Sequence, residues 1–311
     1  MNKLIVQKKP RIIFIMGPTA SGKTLIANAL HKVLPITIIS VDSVLIYRHM
    51  DIGTAKPTLE EQELIPYKLI NIRDPKESYS VAEFLKDALW EIKNIISRGR
   101  IPLLVGGSMF YFKTLLHGLT NLPSANWNIR RKIEIYANKF GWHSIHDYLK
   151  KIDPITASKI HPHDIQRTTR ALEIFLISKK SLTDLTKSKK IFLPYDVIQF
   201  AIIPTNRDIL YDRIYVRYKN MLYAGFENEV RKLYHRGDLH AGLPSMRSVG
   251  YRQMWLYLSG NISYEEMQYR WICATRQLAK KQITWLKHWN NLYILDIDKV
   301  YINVQKILDK I

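Results

Sequence analysis

One stretch near the amino terminus limits what this chain can become. Gly17-Pro18-Thr19-Ala20-Ser21-Gly22-Lys23-Thr24 follows the apolar run Ile12-Ile13-Phe14-Ile15-Met16 and leads into Leu25-Ile26-Ala27-Asn28-Ala29-Leu30. That order reads as strand, glycine loop and helix, the context that the phosphate-cradling pattern G-x-x-x-x-G-K-[ST] requires. Gly17 and Gly22 allow a tight turn in which backbone N–H groups converge on an anion. The helix that follows adds the positive end of its dipole at the same place. Pro18, Thr19, Ala20 and Ser21 form the body of the cradle, Lys23 supplies a point charge, and the Thr24 hydroxyl is a candidate ligand for Mg2+. Such a loop marks nucleotide-binding, including ATP-binding, proteins. It predicts bound phosphate or diphosphate without saying whose.

The segments that follow suit an α/β fold with a parallel sheet. Ile36-Thr37-Ile38-Ile39-Ser40-Val41 is β-branched and apolar, as a strand covered on both faces should be. It ends in Asp42-Ser43. Ligands of open parallel sheets collect at the carboxyl ends of strands, so Asp42 is expected beside the phosphate loop, either in chemistry or as a helix cap. Residues 51–57 read as a polar loop, Tyr67 to Ile70 as a strand, and Val81 to Ser97 as an amphipathic helix. Ser80 and Glu83 form the signature of a capping box for that helix. The next apolar run ends in Gly106-Gly107, where many nucleotide hydrolases carry a metal-organising acid. Two glycines predict close backbone approach to a ligand and weaken the case for an ATPase.

Between residues 121 and 194 strand signals are few and helical spacing dominates, with helices expected at 129–140, 145–150, 154–160 and 166–177. The run Lys187-Ser188-Lys189-Lys190 reads as a solvated loop. Sheet character returns at Val197 to Ile203. One catalytic core, residues 1–120 and 195–311, interrupted by a helical insert over 121–194, explains the order better than two tandem domains. A long helix is expected over Arg207 to Tyr234, with Arg213 and Arg217 on one face. Leu292 to Leu295 reads as a last strand and Ile302 to Ile311 as a last helix.

The formal net charge is +20 in 311 residues, and the excess is spread along the whole chain. A polyanion such as nucleic acid is the expected partner. Arg247-Ser248-Val249-Gly250-Tyr251-Arg252 combines cations, an aromatic and a glycine. Residues 270–287 carry Arg270, Arg276, Lys280, Lys281 and Lys287 without an acid. Cys273 is the single cysteine, which excludes a disulfide framework or a zinc cluster and fits a cytoplasmic setting. The apolar run behind the basic segment 1–11 stops at the phosphate loop and reads as a strand rather than a signal peptide. No run approaches the roughly 18 apolar residues of a membrane span.

Seven motifs in order then identify a resemblance. GPTASGKT at 17–24, VDSVLIYRHMDIGTAKP at 41–57, IRDP at 72–75, VGGSMFY at 105–111, HPHDIQRTTRALEIF at 161–175, SVGYRQMW at 248–255 and CATRQLAKKQITWLK at 273–287 resemble the tRNA dimethylallyltransferases. The resemblance runs from about residue 10 to 290 and implies a P-loop NTPase-like sheet with the insert clamping a tRNA anticodon stem-loop. The implied reaction moves a dimethylallyl group from dimethylallyl diphosphate to the exocyclic amine of adenosine 37, releasing diphosphate. Asp42 would be general base, and Lys23, Thr24 and Arg217 would stabilise the leaving diphosphate with magnesium.

The resemblance also implies tRNA contacts. It places them at Asp42, Ser43, Val44 and Leu45; at Ser108 and Arg130; and at Gln166, Arg167, Thr168, Thr169 and Arg170. Further contacts are implied at Arg247 to Arg252, and at Lys280, Lys281, Gln282, Ile283, Thr284, Trp285, Leu286 and Lys287. Ser108 departs from the family's usual threonine. A monomer is expected. An adenylate isopentenyltransferase, a nucleotide kinase and an RNA-binding protein with a vestigial loop are the competing readings, separated by which acceptor receives the prenyl group.

Overall fold

The computed structural model describes residues 9–120, 122–186, 193–297 and 299–311. The expected loop at 187–190 lies outside them, as do residues 1–8. The apolar run after the basic start forms β1 (Arg11–Met16), fully buried from Ile12 to Met16. The glycine loop then opens α1 (Lys23–His31), followed by β2 (Ile36–Val41), buried at every position. Next come α2 (Leu59–Leu64), β3 (Tyr67–Lys68), α3 (Val81–Ser97), β4 (Ile101–Gly106) and α4 (Met109–His117). Ser80 caps α3 as expected: its hydroxyl accepts from the Glu83 amide at 3.2 Å, and the Glu83 carboxylate accepts from the Ser80 amide at 2.8 Å. The strand expected at 67–70 is cut to two residues, because Leu69 turns into the left-handed region at φ 61°.

Helices α5 (Trp127–Phe140), α6 (Trp142–Ile152), α7 (Pro154–Lys159), α8 (Ile165–Ser178) and α9 (Leu182–Thr186) follow. The chain then returns through β5 (Asp196–Ile202), α10 (Arg207–Tyr223), α11 (Phe226–Tyr234), α12 (Tyr251–Leu258), α13 (Tyr264–Lys287), β6 (Tyr293–Leu295) and α14 (Val300–Leu308). The single helix expected over 207–234 is two. Gly225, at φ 92°, ends α10 and starts α11, a conformation that a side chain would strain.

The six strands form one parallel sheet in the order β3-β2-β4-β1-β5-β6. Helices flank it, so the architecture is that of a P-loop NTPase-like α/β protein. With β1 between β4 and β5, chain direction diverges on either side of the strand that carries the glycine loop. That is the switch point where parallel sheets open a crevice at their carboxyl ends.

The chain parts into two compact units, Met1–Leu116 with Pro194–Ile311, and His117–Leu193. The smaller unit has its own apolar centre, built from Ile133, Ala137, Ile145, Leu149, Ala157, Ala171 and Leu172. Within it, Glu173 is fully buried. Its carboxylate accepts from Arg130 Nε at 2.9 Å and Nη2 at 3.1 Å, from Arg170 Nη1 at 2.5 Å and from the Asn126 amide at 2.6 Å. Burial alone would raise the Glu173 carboxyl, but these donors together hold it below the usual range. The network joins α5 to α8. Glu173→Ala leaves Arg130, Arg170 and the Asn126 amide without their shared acceptor and is expected to cost about 2 kcal/mol in denaturant unfolding. A loss below about 1 kcal/mol would show that the network adds nothing beyond a surface ion pair.

Candidate functional site

The glycine loop lies at the carboxyl end of β1, with α1 starting at Lys23. The Lys23 ammonium folds back over it and donates to the Pro18 carbonyl at 2.6 Å. Burial, then the nearby Arg217 guanidinium, lower Lys23 from the ordinary 10.5 to about 7, against an opposing pull from Asp42. Burial likewise lowers Arg217, again opposed by Asp42. Lys23, Arg217 and Asp42 therefore share one electrostatic neighbourhood, although they come from α1, α10 and the end of β2. Thr24 is exposed at the first turn of α1.

Asp42 divides its carboxylate between two tasks. Oδ1 accepts from the amides of Val44 at 2.8 Å and Leu45 at 3.3 Å, which fixes the turn after β2. Among the described residues Oδ2 accepts no hydrogen bond and is available to a substrate. Capping and chemistry, alternatives in the sequence, are compatible here because they use different oxygens. Beside Asp42, burial above all raises the Tyr111 phenol, with contributions from Tyr47 and Asp42. Tyr111 stays neutral and stacks on Phe84 with ring centroids 4.3 Å apart.

Arg217 is aimed by the 51–57 loop, whose Thr54 carbonyl accepts from its Nη2 at 3.0 Å. That loop is itself tied down. The Glu229 carboxylate accepts from the amides of Asp51, Ile52 and Gly53 at 2.8, 2.7 and 3.1 Å, and from the Tyr251 hydroxyl at 2.5 Å. The buried Lys56 ammonium donates to the Tyr47 carbonyl, to Asp51 and to Asn71, each at 2.6 Å. Sequence reasoning missed Glu229 and Thr54, since no local pattern links residue 229 to residues 51–53. Arg213, one turn before Arg217, lies against the phosphate loop, with Nη1 3.6 Å from where a Gly22 Cβ would stand.

The glycines at the end of β4 are explained by protein rather than ligand. A Cβ on Gly106 would fall 2.0 Å from the Val41 carbonyl oxygen, and one on Gly107 would fall 2.3 Å from Gln282 Nε2. The Ser108 amide then donates to the Val41 carbonyl at 3.2 Å, which carries the turn across the end of β2.

The remaining predicted contact residues sort by exposure. Ser43, Gln166, Arg167, Arg247, Arg252, Lys280, Lys281, Thr284, Trp285 and Lys287 have exposed side chains, while Thr169 is half-buried. Lys113 lies over the Trp285 ring at 5.5 Å. Arg207, Tyr211, Lys280, Thr284 and Lys287 line a cleft between α10 and α13. Other positions are less accessible and take part in packing or internal pairing. Thr168, Gly250, Tyr251, Ile283 and Leu286 are buried. Tyr251 in particular is core, edge-on to Phe226 at 5.1 Å, and offers no ring to a base. Arg130 and Arg170 are engaged by Glu173, and Val44 packs on the cluster around Phe226 and Trp271.

No described residues gather three or more His, Cys, Asp or Glu side chains into a metal cage. Mg2+ does not need one: it is commonly held by one or two protein oxygens together with phosphate oxygens and water. The exposed Thr24 hydroxyl is an oxygen donor of that kind.

Comparison with known proteins agrees with this geometry. The IPP transferase family matches residues 45–289, a stretch that begins just after Asp42. The full-length tRNA isopentenylpyrophosphate transferase of Bacillus halodurans is 38% identical over 97% of both chains, with a TM-score of 0.71. The tRNA delta(2)-isopentenylpyrophosphate transferase of Staphylococcus epidermidis is 34% identical, covering 97% of this chain and 98% of its own, with a TM-score of 0.70. A eukaryotic dimethylallyltransferase acting on tRNA superposes with a TM-score of 0.80 at 26% identity, over 96% of this chain and 78% of its own. On these similarities this chain is a transferase belonging to the IPP transferase family.

Proposed function

We propose that this protein transfers a dimethylallyl group from dimethylallyl diphosphate to the N6 amine of adenosine 37 in tRNA. The observation that carries the proposal is the meeting of Lys23, Arg217 and Asp42 at the switch point of the sheet. Two cations and a glycine loop suit a leaving diphosphate, and one carboxylate with a free oxygen suits the amine.

In the reaction the amine lone pair forms a bond to the allylic carbon while the bond from that carbon to the diphosphate oxygen breaks. The electron pair leaves on the diphosphate, and the proton on nitrogen passes to Asp42 Oδ2. An aromatic amine is a weak nucleophile, so alignment of nitrogen and carbon supplies much of the rate. Lys23, Arg217 and the loop amides stabilise the charge that grows on the leaving group. Mg2+, held by Thr24 and diphosphate oxygens, would neutralise part of the same charge. The acceptor base leaves the single-stranded loop to reach the carboxylate. The exposed cations Lys280, Lys281 and Lys287 on α13 suit RNA phosphates, and Gln166 and Arg167 on the first turn of α8 suit base edges. The helical unit is the proposed clamp for the anticodon stem-loop, and the protein is proposed to act in the cytoplasm as a monomer.

Labelled dimethylallyl diphosphate offered with unmodified tRNA, and separately with AMP, ADP and ATP, tests the reading. Label at adenosine 37 is expected. Label in a mononucleotide would keep the diphosphate site and discard the RNA acceptor. Asp42→Asn retains the oxygen that caps the turn and removes the base. It is expected to slow transfer about 100- to 10,000-fold with tRNA affinity unchanged; near-normal turnover would take Asp42 out of the mechanism.

A lysine depressed to about 7 carries little charge in the empty protein above that pH. An arriving diphosphate favours the ammonium, so binding should take up a proton between about 7 and 10.5 and weaken as pH rises through that window. Titration calorimetry of inorganic diphosphate at about pH 8, in buffers of different ionisation enthalpy, reads the uptake directly. The titration reads the net uptake of protein and ligand together, so the share of Lys23 is the difference between the parent and Lys23→Met; equal uptake in the two would mean that Lys23 gains no proton on binding.

A further inference from the structure

Gln282 lies within the α13 segment that the sequence assigns to tRNA, yet its amide is turned inward. Oε1 accepts from the Thr19 amide at 2.8 Å, and Nε2 donates to the Gly107 carbonyl at 3.0 Å. One partner is a backbone donor and the other a backbone acceptor, so only one orientation of the amide satisfies both. A single side chain thereby joins the phosphate loop after β1 to the turn after β4.

A second observation points the same way. Ala20, at the crest of the phosphate loop, sits in the left-handed region at φ 63°. Such a residue is strained by about 1 kcal/mol or more and persists where its surroundings over-determine it. Ala20 packs against Ala279 and Ile283 of α13, together with Leu210 and Ile214 of α10. Residues 279, 282 and 283 are spaced i, i+3, i+4 and share one face of the helix. Lys280, Lys281, Thr284 and Lys287 project from the exposed side of the same turns.

We propose that Gln282 is a positioning residue through which α13 sets the shape of the diphosphate loop. The loop's anion-binding form is then a property of the helix whose other side carries the exposed cations. RNA seated on those cations and diphosphate seated in the loop act on one rigid element. The coupling to RNA rests on the transfer reading above; the brace itself does not.

Gln282→Met keeps the length of the side chain and removes both hydrogen bonds. Its KM for dimethylallyl diphosphate should rise about tenfold, and its affinity for inorganic diphosphate should fall by a similar factor, with tRNA affinity within about twofold of the parent. Gly107→Ala places a Cβ 2.3 Å from Nε2 and should expel the amide, giving the same defect. Combined with Gln282→Ala the side-chain obstruction is gone and only the Gly17 carbonyl, 3.3 Å from the new Cβ, has to give slightly, so the double variant should lie close to Gln282→Ala alone. Additive defects, or weakened tRNA binding with unchanged diphosphate dependence, would overturn the proposal and make Gln282 an RNA contact. Should Gln282→Met fail to fold, Gln282→Leu removes both hydrogen bonds without adding charge beside the loop and carries the same comparison. If the parent protein labels no tRNA, the transfer reading falls, while the inorganic diphosphate titration still judges the brace.

Discussion

The parallel register of β2, β4, β1 and β5 is the constraint on which the rest depends. It brings the carboxyl ends of four strands to one edge, and every candidate catalytic group is attached there or reaches over it. Met16 lies level with Gly106 and Ala201, and Gly106 with Val41. The chain segments that leave these positions are the phosphate loop, the β4 turn and the turn at Asp42. A shift of one residue in the β2–β4 pairing would move Asp42 by about 3.3 Å and reverse the faces of its neighbours.

Packing at that edge is tight enough to dictate residue types. Gly106 and Gly107 occupy the place where a nucleotide hydrolase would put an acid; the Val41 carbonyl leaves no room for a Cβ at Gly106, and the Gln282 amide stands where a Gly107 Cβ would go. The charge of the site comes from three distant parts of the chain, α1, the end of β2 and α10. The cost of desolvating two neighbouring cations shows in the depressed Lys23 ammonium. Glu229 and Lys56 hold the 51–57 loop, that loop holds Arg217, and α13 holds the phosphate loop.

The helical unit follows a different logic. Its apolar centre is small, and a buried carboxylate shared by two arginines joins α5 to α8 in addition to it. Arg130 and Arg170 each give their guanidinium to Glu173, whereas Gln166 and Arg167, one turn earlier on α8, face solvent. Cations that read alike along the sequence are thus divided between internal pairing and an outward surface.

Much of the fold was legible in the sequence because it rests on local chemistry. The phosphate loop, the capped α3, the buried β1, β2 and β4 and the helical run between residues 127 and 186 depend on neighbours within a few residues, where periodicity and turn chemistry act. The break at Gly225 and the early end of β3 at Leu69 escaped because a single left-handed residue leaves the apolar pattern on either side unchanged. The site was legible only where a motif is contiguous. By itself the sequence determined that a strand, a glycine loop and a helix would present Lys23 and Thr24 to an anion, and that Asp42 would close the next buried strand. Only the tertiary structure decided that Asp42 caps with one oxygen and leaves the other open, that Tyr251 is core, that Glu229 anchors residues 51–53, and that Gln282 faces inward. Asp42 closes a local turn and Tyr251 is covered by Phe226, but which oxygen or ring face stays open depends on packing around them; Glu229 and Gln282 meet backbone groups more than a hundred positions away, and hydrogen-bond geometry at that separation has no signature in spacing.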